Sequence, residues 1–137
     1  MTFLVGRLDH VAIAADDTVA LAAWYKRILG LQIVVQAGPK PDQTQKTFLV
    51  GPSQEDLQRG SMIEIMPRNA NPRHGRVAAD PGISHIAWQV SDFDAAVAHL
   101  QREGVVFLGD IVQAVGGGRL ISFSDCEANM IQIVERL

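Results

Sequence analysis

The sequence predicts an α+β fold built from two βαβββ modules related by internal duplication. The first observation is a self-match, in which LDHVAIAADDTVALAAWYKRILG (residues 8–30) aligns with ISHIAWQVSDFDAAVAHLQREG (residues 83–104). The second is a pair of nearly identical apolar segments, MIEIM at residues 62–66 and MIQIV at residues 130–134. A self-match this ordered indicates two copies of one supersecondary unit.

The first module is expected to begin with a strand around Val11 and Ile13 and to continue into a helix. Asp17 precedes this helix as its N-cap, and Gly30 ends it. Between them the apolar residues recur at helical spacing, at Leu21, Tyr25 and Ile28. Three strands are expected next, near residues 31–36, 44–51 and 61–67, separated by turn-forming segments.

The second module repeats this order. Asp92 is expected to cap a helix that ends at Gly104, with an apolar stripe made by Phe93, Val97 and Leu100. Strands are expected near residues 105–112, 119–124 and 130–135. The three consecutive glycines at 116–118 follow no phosphate-binding pattern and indicate a hairpin turn.

The two modules are predicted to form a single domain over residues 1–137. The first covers about residues 1–67 and the second about residues 83–137. The segment between them, about residues 68–82, is rich in Pro, Asn, Gly and Arg and is interpreted as a linker. Its basic residues Arg68, Arg73, His74 and Arg76 are interpreted as a solvated loop, with binding of an anionic substrate group as the alternative.

Composition excludes several classes of function. A net charge of −3 over 137 residues argues against nucleic acid as the main partner. No apolar run is long enough to span a bilayer, and charged residues interrupt the apolar start before a signal-peptide core could form. The single cysteine, Cys126, permits no internal disulfide. A cytoplasmic protein without a membrane partner is therefore expected.

Strand alternation places one polar side chain at the same point of four strands. Successive residues of a strand face opposite sides of the sheet, so the branched apolar residues share the helix-covered side. The opposite side then carries His10, Glu64, His85 and Gln132. A lone polar residue on a half-buried strand is more often a hydrogen-bonded structural residue than a ligand.

Taken together, these four residues favour a metal site. A carboxylate at the centre of an apolar strand is unfavourable to bury unless a cation compensates it. Neutral imidazoles bind Zn, Ni, Co, Fe and Mn, and the oxygens of Glu64 and Gln132 suit the harder ions among these. One divalent ion per site, held by a histidine and an oxygen donor from each module, is the prediction.

The same segments resemble the vicinal oxygen chelate superfamily, which includes glyoxalase I, methylmalonyl-CoA epimerase, extradiol dioxygenases and bleomycin-resistance proteins. The resemblance extends over nearly the whole chain, through LDHVAIAADD, WYKRILGLQIV, MIEIM, GISHIAWQVSD and FSDCEANMIQIV. It implies an open curved barrel around one metal ion. It also implies that His10, Glu64 and His85 are ligands, with Gln132 where the bacterial glyoxalase pattern has Glu. Glu135 is the alternative fourth ligand, although alternation turns it to the other face.

The resemblance implies a metal-dependent lyase or isomerase of the glyoxalase I type. Glu64 would then be the catalytic base that removes a proton next to a carbonyl, with a metal-stabilised enediolate. Methylmalonyl-CoA epimerase has the same ligand types with Gln and Glu in the reverse order. Epimerisation also needs a second acid, for which Asp42, Glu55 and Asp56 are candidates.

Two other functions stay open at this point. An Fe(II)-dependent dioxygenase would use His10, His85 and Glu64 as its ligands. A metal-free protein that binds a small molecule, such as a drug, is the non-enzymatic alternative. The resemblance also implies a small-molecule substrate and a homodimer, without deciding whether the modules pair within one chain or between two chains.

Overall fold

The computed structural model describes residues 4–137, and its internal contacts divide the chain between Asn71 and Pro72. This division falls in the segment interpreted as a linker. The part before it is called the first unit and the part after it the second unit, and each is described by itself. The assignment of both to a single domain stays a prediction.

The first unit contains a four-stranded sheet and two helices. In chain order these elements are β1 (His10–Ala15), α1 (Thr18–Leu29), β2 (Gln32–Ala37), β3 (Thr47–Gly51), α2 (Asp56–Arg59) and β4 (Met62–Pro67). The strand order across the sheet is β1-β4-β3-β2. Strand β1 runs parallel to β4, and the other neighbours are antiparallel.

The second unit repeats this plan. Its elements are β5 (Ile86–Gln89), α3 (Phe93–Arg102), β6 (Val106–Phe107), β7 (Val112–Gln113), β8 (Arg119–Ser124) and β9 (Met130–Val134). The sheet order is β5-β9-β8-β6, and β7 also pairs with β8. Strand β5 runs parallel to β9, as β1 does to β4. The predicted α+β fold of two duplicated modules is confirmed.

Both long helices begin as the sequence predicts. The Asp17 carboxylate accepts a hydrogen bond from Ala20 N at 3.0 Å, and the Asp92 carboxylate accepts one from Ala95 N at 3.1 Å. Helix α1 ends at Gly30, whose φ of 70° lies in the left-handed region. Helix α3 ends slightly before Gly104, at Arg102, with Glu103 as its C-cap.

The core of each unit lies between its long helix and its sheet. In the first unit Ile63 and Ile65 of β4 are fully buried, and in the second Ile131 and Ile133 of β9 are their buried counterparts. Helix α1 packs on β3 and β4, and α3 packs on β9. The isoleucines of MIEIM and MIQIV therefore face the helices, which leaves Glu64 and Gln132 on the opposite side.

Two predicted elements differ from the structure. Residues 51–60 were expected to form only a turn, but they contain the short helix α2, and the buried Asp56 carboxylate accepts a hydrogen bond from Ser53 N at 2.8 Å. The strand expected over residues 105–112 is two short strands, β6 and β7. Among residues 4–137, the helices are too short or too polar to cross a lipid bilayer.

Candidate functional site

The candidate site residues occupy matching register positions in the two units. Pairing of β1 with β4 sets Ala12 beside Glu64, and pairing of β5 with β9 sets Ala87 beside Gln132. His10 and His85 each precede that alanine by two residues. Each unit therefore presents one histidine and one oxygen donor through the same parallel strand pair.

In the first unit the structure brings His10 and Glu64 together. His10 Nε2 lies 3.9 Å from Glu64 Oε2, and the two side chains are 39% and 31% exposed. Within residues 4–137 the Glu64 carboxylate accepts no hydrogen bond. A half-buried carboxylate that accepts no hydrogen bond and lies beside an imidazole is well placed to bind a cation.

The separation of these two atoms fits a shared metal ion. Two protein ligands that each lie about 2.1 Å from one ion are at most about 4.2 Å apart. The observed 3.9 Å between His10 Nε2 and Glu64 Oε2 is inside that limit. The pair therefore fits a divalent ion without a large rearrangement of either side chain.

The second nitrogen of each histidine is held by the residue before it. His10 Nδ1 lies 2.7 Å from Asp9 Oδ2, and His85 Nδ1 lies 2.9 Å from Ser84 Oγ. An imidazole that uses Nδ1 in this way keeps Nε2 available as a ligand. The sequence-based prediction did not include Asp9 and Ser84. The signal that could have identified them is that each aligned histidine directly follows a side chain able to accept a hydrogen bond.

In the second unit Gln132 is buried and its amide is oriented. Gln132 Nε2 donates a hydrogen bond to Ser122 Oγ at 3.1 Å. Within residues 4–137 the amide oxygen Oε1 accepts no hydrogen bond. The amide thus has its donor satisfied and its oxygen available to a ligand.

Glu135, the alternative fourth ligand, is occupied by another partner. Arg119 donates from Nε to Glu135 Oε2 at 2.5 Å and from Nη2 to Glu135 Oε1 at 3.1 Å. These hydrogen bonds lower the pKa of the Glu135 carboxyl below its usual value and raise that of Arg119. Both carboxylate oxygens are therefore used inside the second unit.

Other candidate residues also have partners in their own unit. Arg68 pairs with Asp16 at 2.8 Å, and Arg73 pairs with Glu127 at 3.2 Å. Arg76 donates to the carbonyl oxygens of residues 80, 81 and 83. The three guanidinium groups already bind groups of the protein. These contacts favour the interpretation of residues 68–82 as a loop over their interpretation as an anion-binding site.

Two of the three candidate second acids are engaged as well. The Glu55 carboxylate pairs with Arg59 at 2.5 Å, and the Asp56 carboxylate caps the turn before α2. Asp42 is exposed. Within the described chain, no group of three or more His, Cys, Asp or Glu side chains is arranged as a metal site. The pairs His10–Glu64 and His85–Gln132 belong to different units.

Comparison with known proteins gives one consistent family. Residues 9–123 match the profile of the glyoxalase/bleomycin resistance protein/dioxygenase superfamily. The chain is 29% identical over 134 residues to human mitochondrial methylmalonyl-CoA epimerase, covering 94% of this chain and 73% of that protein. It is 30% identical over 117 residues to the ethylmalonyl-CoA/methylmalonyl-CoA epimerase of Cereibacter sphaeroides, covering 82% of each chain.

A solved structure supports the fold independently. The crystal structure of a glyoxalase family protein from Enterococcus faecalis superposes with a TM-score of 0.77 at 18% identity, covering 97% of this chain and all of that one. At this identity the likeness shows the fold alone.

Proposed function

The chain belongs to the glyoxalase/bleomycin resistance protein/dioxygenase superfamily, and we propose that it is an isomerase or lyase that removes a proton from a carbon next to a carbonyl group. Membership of this largely enzymatic superfamily implies a small-molecule substrate. The observation that carries the proposal is the half-buried Glu64 carboxylate, which has no hydrogen-bond donor within residues 4–137 and lies 3.9 Å from His10 Nε2.

We propose that His10, Glu64, His85 and Gln132 hold one divalent ion, chosen from Zn, Ni, Co, Mn and Fe. The shared register of the two units and the two Nε2 atoms left available by Asp9 and Ser84 support this set. A divalent ion bound there supplies Lewis acidity to a carbonyl oxygen of the substrate. Two neutral imidazoles, one carboxylate and one amide leave such a site with a charge of about +1, which favours an anionic oxygen.

Glu64 is the proposed catalytic base because it is the one carboxylate in this set. A base must reach the proton that it removes, and the exposed fraction of Glu64 leaves its oxygens accessible from the open side of the sheet. Asp42 stays the candidate for the second acid that an epimerase requires, since Glu55 and Asp56 have other partners.

The proposed substrate class is an acyl-CoA thioester with an acidic hydrogen at carbon 2. It rests on the similarity to two epimerases of ethylmalonyl-CoA and methylmalonyl-CoA, one of which is 30% identical over most of both chains. The thioester carbonyl acidifies the proton on carbon 2, because the negative charge left by its removal is delocalised onto the carbonyl oxygen. The thioester carbonyl and the neighbouring carboxylate also offer two oxygens to a cationic site.

The test is proton exchange at carbon 2 of methylmalonyl-CoA in D₂O, followed by proton NMR with protein purified without chelators. Metal analysis of the same preparation measures the bound ion. We expect about one ion per chain and rapid loss of the carbon-2 proton signal. The Glu64→Gln variant should keep its fold and lose exchange, and Glu103→Gln, at an exposed helix end, is the matched control.

The outcomes separate the competing functions. Metal-free protein that still binds small molecules would indicate a binding protein, and oxygen uptake with a catechol would indicate a dioxygenase. Full proton-exchange activity in the Glu64→Gln variant would show that Glu64 is not the catalytic base. Metal-loaded protein that exchanges no proton in methylmalonyl-CoA would overturn the substrate class.

We also propose that the protein is a homodimer. The second unit exposes a group of apolar side chains from β6 to the turn after β7, namely Val106, Leu108, Ile111, Val112 and Val115. Edge strands with exposed apolar residues are normally covered by a partner. Light scattering should give a dimer mass that Val112→Asp reduces and Val77→Asp, in the loop before β5, does not. A monomer mass for the wild type would overturn the proposal.

A further inference from the structure

The two histidines differ in the residue that holds Nδ1. His10 Nδ1 faces the Asp9 carboxylate at 2.7 Å, while His85 Nδ1 faces the Ser84 hydroxyl at 2.9 Å. A carboxylate only accepts a hydrogen bond from a neutral imidazole, so it selects the tautomer with the proton on Nδ1. A hydroxyl can accept or donate and selects neither tautomer.

Asp9 is held in place by its backbone. Met62 N donates to Asp9 O at 3.2 Å, and Ser61 N donates to Leu8 O at 3.2 Å, which extends the β1–β4 pairing beyond His10. The approach is close at Gly60, where an added Cβ would lie 2.3 Å from Leu8 O. The Asp9 carboxylate is therefore presented to His10 from a fixed backbone.

Two arginines, Arg7 and Arg59, lie near Asp9 but form no ion pair with its carboxylate within residues 4–137. Asp9 lines a cleft of about 280 Å³ together with Arg7, Gln58, Arg59 and Gly60. Arg59 is bound to Glu55 and to Ser53 Oγ at 2.9 Å. Within residues 4–137, the Asp9 carboxylate pairs with His10. Although two arginines line the same cleft, the Asp9 carboxylate pairs with His10.

We propose that Asp9 is a positioning residue that fixes His10 in the Nδ1–H tautomer and makes it the stronger of the two histidine ligands. A carboxylate hydrogen bond on the outer nitrogen raises the basicity of the metal-binding nitrogen, whereas a hydroxyl does so less. The consequence for metal affinity rests on the proposed metal site, whereas the tautomer does not. Ser84 is the weaker counterpart in the second unit.

The first measurement uses metal-free protein. Long-range proton–nitrogen NMR spectra of the imidazole rings, at a pH where both are neutral, identify the protonated nitrogen of each histidine. We expect His10 to be predominantly Nδ1–H in the wild type and to shift towards Nε2–H in Asp9→Ala. Asp9→Asn keeps an acceptor without the charge and should fall between them. Asp110→Ala, an exposed carboxylate in the loop between β6 and β7, is the control that should leave both rings unchanged.

The second measurement is calorimetric titration of the same proteins with Zn²⁺. Loss of an outer hydrogen bond to a metal-binding histidine typically weakens binding about 10- to 100-fold, and we expect Asp9→Ala to fall in that range. Ser84→Ala should weaken binding less than Asp9→Ala.

These outcomes distinguish the inference from the proposed function. Wild-type protein that binds no Zn²⁺ would overturn the proposed metal site. The tautomer of His10 measured by NMR would still show whether Asp9 holds the proton on Nδ1. Zn²⁺ binding that is equal in wild type and Asp9→Ala would overturn the inference while leaving the metal site intact. An Nε2–H tautomer for His10 in the wild type would overturn it as well.

Discussion

Gln132 on β9 lies directly across from Ser122 on β8, and its amide donates a hydrogen bond to the Ser122 hydroxyl at 3.1 Å. At the equivalent place in the first unit, Glu64 on β4 lies across from Leu49 on β3. Opposed residues on paired antiparallel strands are close neighbours. The amide therefore has a polar neighbour and the carboxylate an apolar one. The Gln132 amide is thus hydrogen-bonded inside its own sheet, whereas the Leu49 side chain across from the Glu64 carboxylate offers no hydrogen-bond donor.

The first prediction concerns the charge of the proposed site. Gln132→Glu should bind a divalent ion more tightly than the wild type, because a second carboxylate replaces a neutral amide oxygen. The Ser122 hydroxyl can donate to the new carboxylate, so the fold should be kept. Calorimetric titration with Zn²⁺ measures the change, and Gln113→Glu on β7 is the control for added negative charge. Affinity that does not rise above that control would place Gln132 outside the ligand set.

The second prediction concerns the orientation of the Gln132 amide. Ser122→Ala removes the acceptor of Gln132 Nε2 and leaves a buried donor unsatisfied, which costs about 1–3 kcal/mol. Urea unfolding should show this loss, and Ser91→Ala, an exposed serine before α3, should change stability little. Equal stability of the two variants would show that another group accepts from Gln132.

Much of the fold could be predicted because helix caps and strand periodicity are local in sequence. Asp17 and Asp92 cap the helices, and the isoleucines of β4 and β9 are buried, as their spacing indicates. Helix α2 was missed because four residues are too few to show a helical period, and the hydrogen bond from Ser53 N to the Asp56 carboxylate cannot be inferred from residue spacing. The region before β8 was predicted as one strand because its apolar residues form an almost continuous run.

The candidate site was less predictable than the fold. Alternation assigns Glu64 and Gln132 to the side away from the helices, and the burial of their neighbours agrees. The contacts of Asp9 with His10 and of Arg119 with Glu135 depend on side-chain rotamers and on pairing between distant residues. Periodicity carries neither kind of information. A sequence pattern can therefore propose candidate ligands, but it does not identify the residues that would orient them.

The third prediction concerns pH. The hydrogen bonds from Arg119 hold the pKa of Glu135 below its ordinary value of 4.5. A carboxyl group with a lowered pKa in the folded state stabilises the fold above its unfolded-state pKa, and this contribution is lost as the pH falls through the folded-state value. The melting temperature of Glu135→Gln should therefore lie below that of the wild type at neutral pH. The difference should shrink in acid.

Thermal unfolding of both proteins between about pH 7 and about pH 3 checks this prediction. Asp110→Asn, which removes an exposed carboxylate in the loop between β6 and β7, is the matched control and should follow the wild type more closely. A protonated Glu135 no longer forms the ion pair with Arg119, so the difference in melting temperature should disappear in acid. A difference between wild type and Glu135→Gln that stays constant down to the most acidic pH would contradict the stabilising role of this ion pair.

The fourth prediction concerns Gly60, which joins α2 to β4. Its φ of 85° and ψ of −159° lie in a region that is almost restricted to glycine, and an added Cβ would lie 2.3 Å from Leu8 O. Gly60→Ala should therefore destabilise the protein by about 1–3 kcal/mol from the backbone alone. It should also push the segment of Leu8 and Asp9 away from β4. Urea unfolding measures the first effect, and the NMR tautomer of His10 reports the second.

Gly109→Ala is the matched control for this change, because a Cβ there would have nothing within 4 Å. Removing a glycine at an unstrained position restricts the unfolded chain and is neutral or slightly stabilising. We therefore expect Gly60→Ala to lower the free energy of unfolding and to shift His10 away from Nδ1–H, with neither effect in Gly109→Ala. If Gly60→Ala lowers the free energy of unfolding but leaves the tautomer unchanged, the contact of Asp9 with His10 does not depend on the backbone bonds from Ser61 and Met62. A free energy of unfolding equal to that of Gly109→Ala would contradict the strain assigned to Gly60.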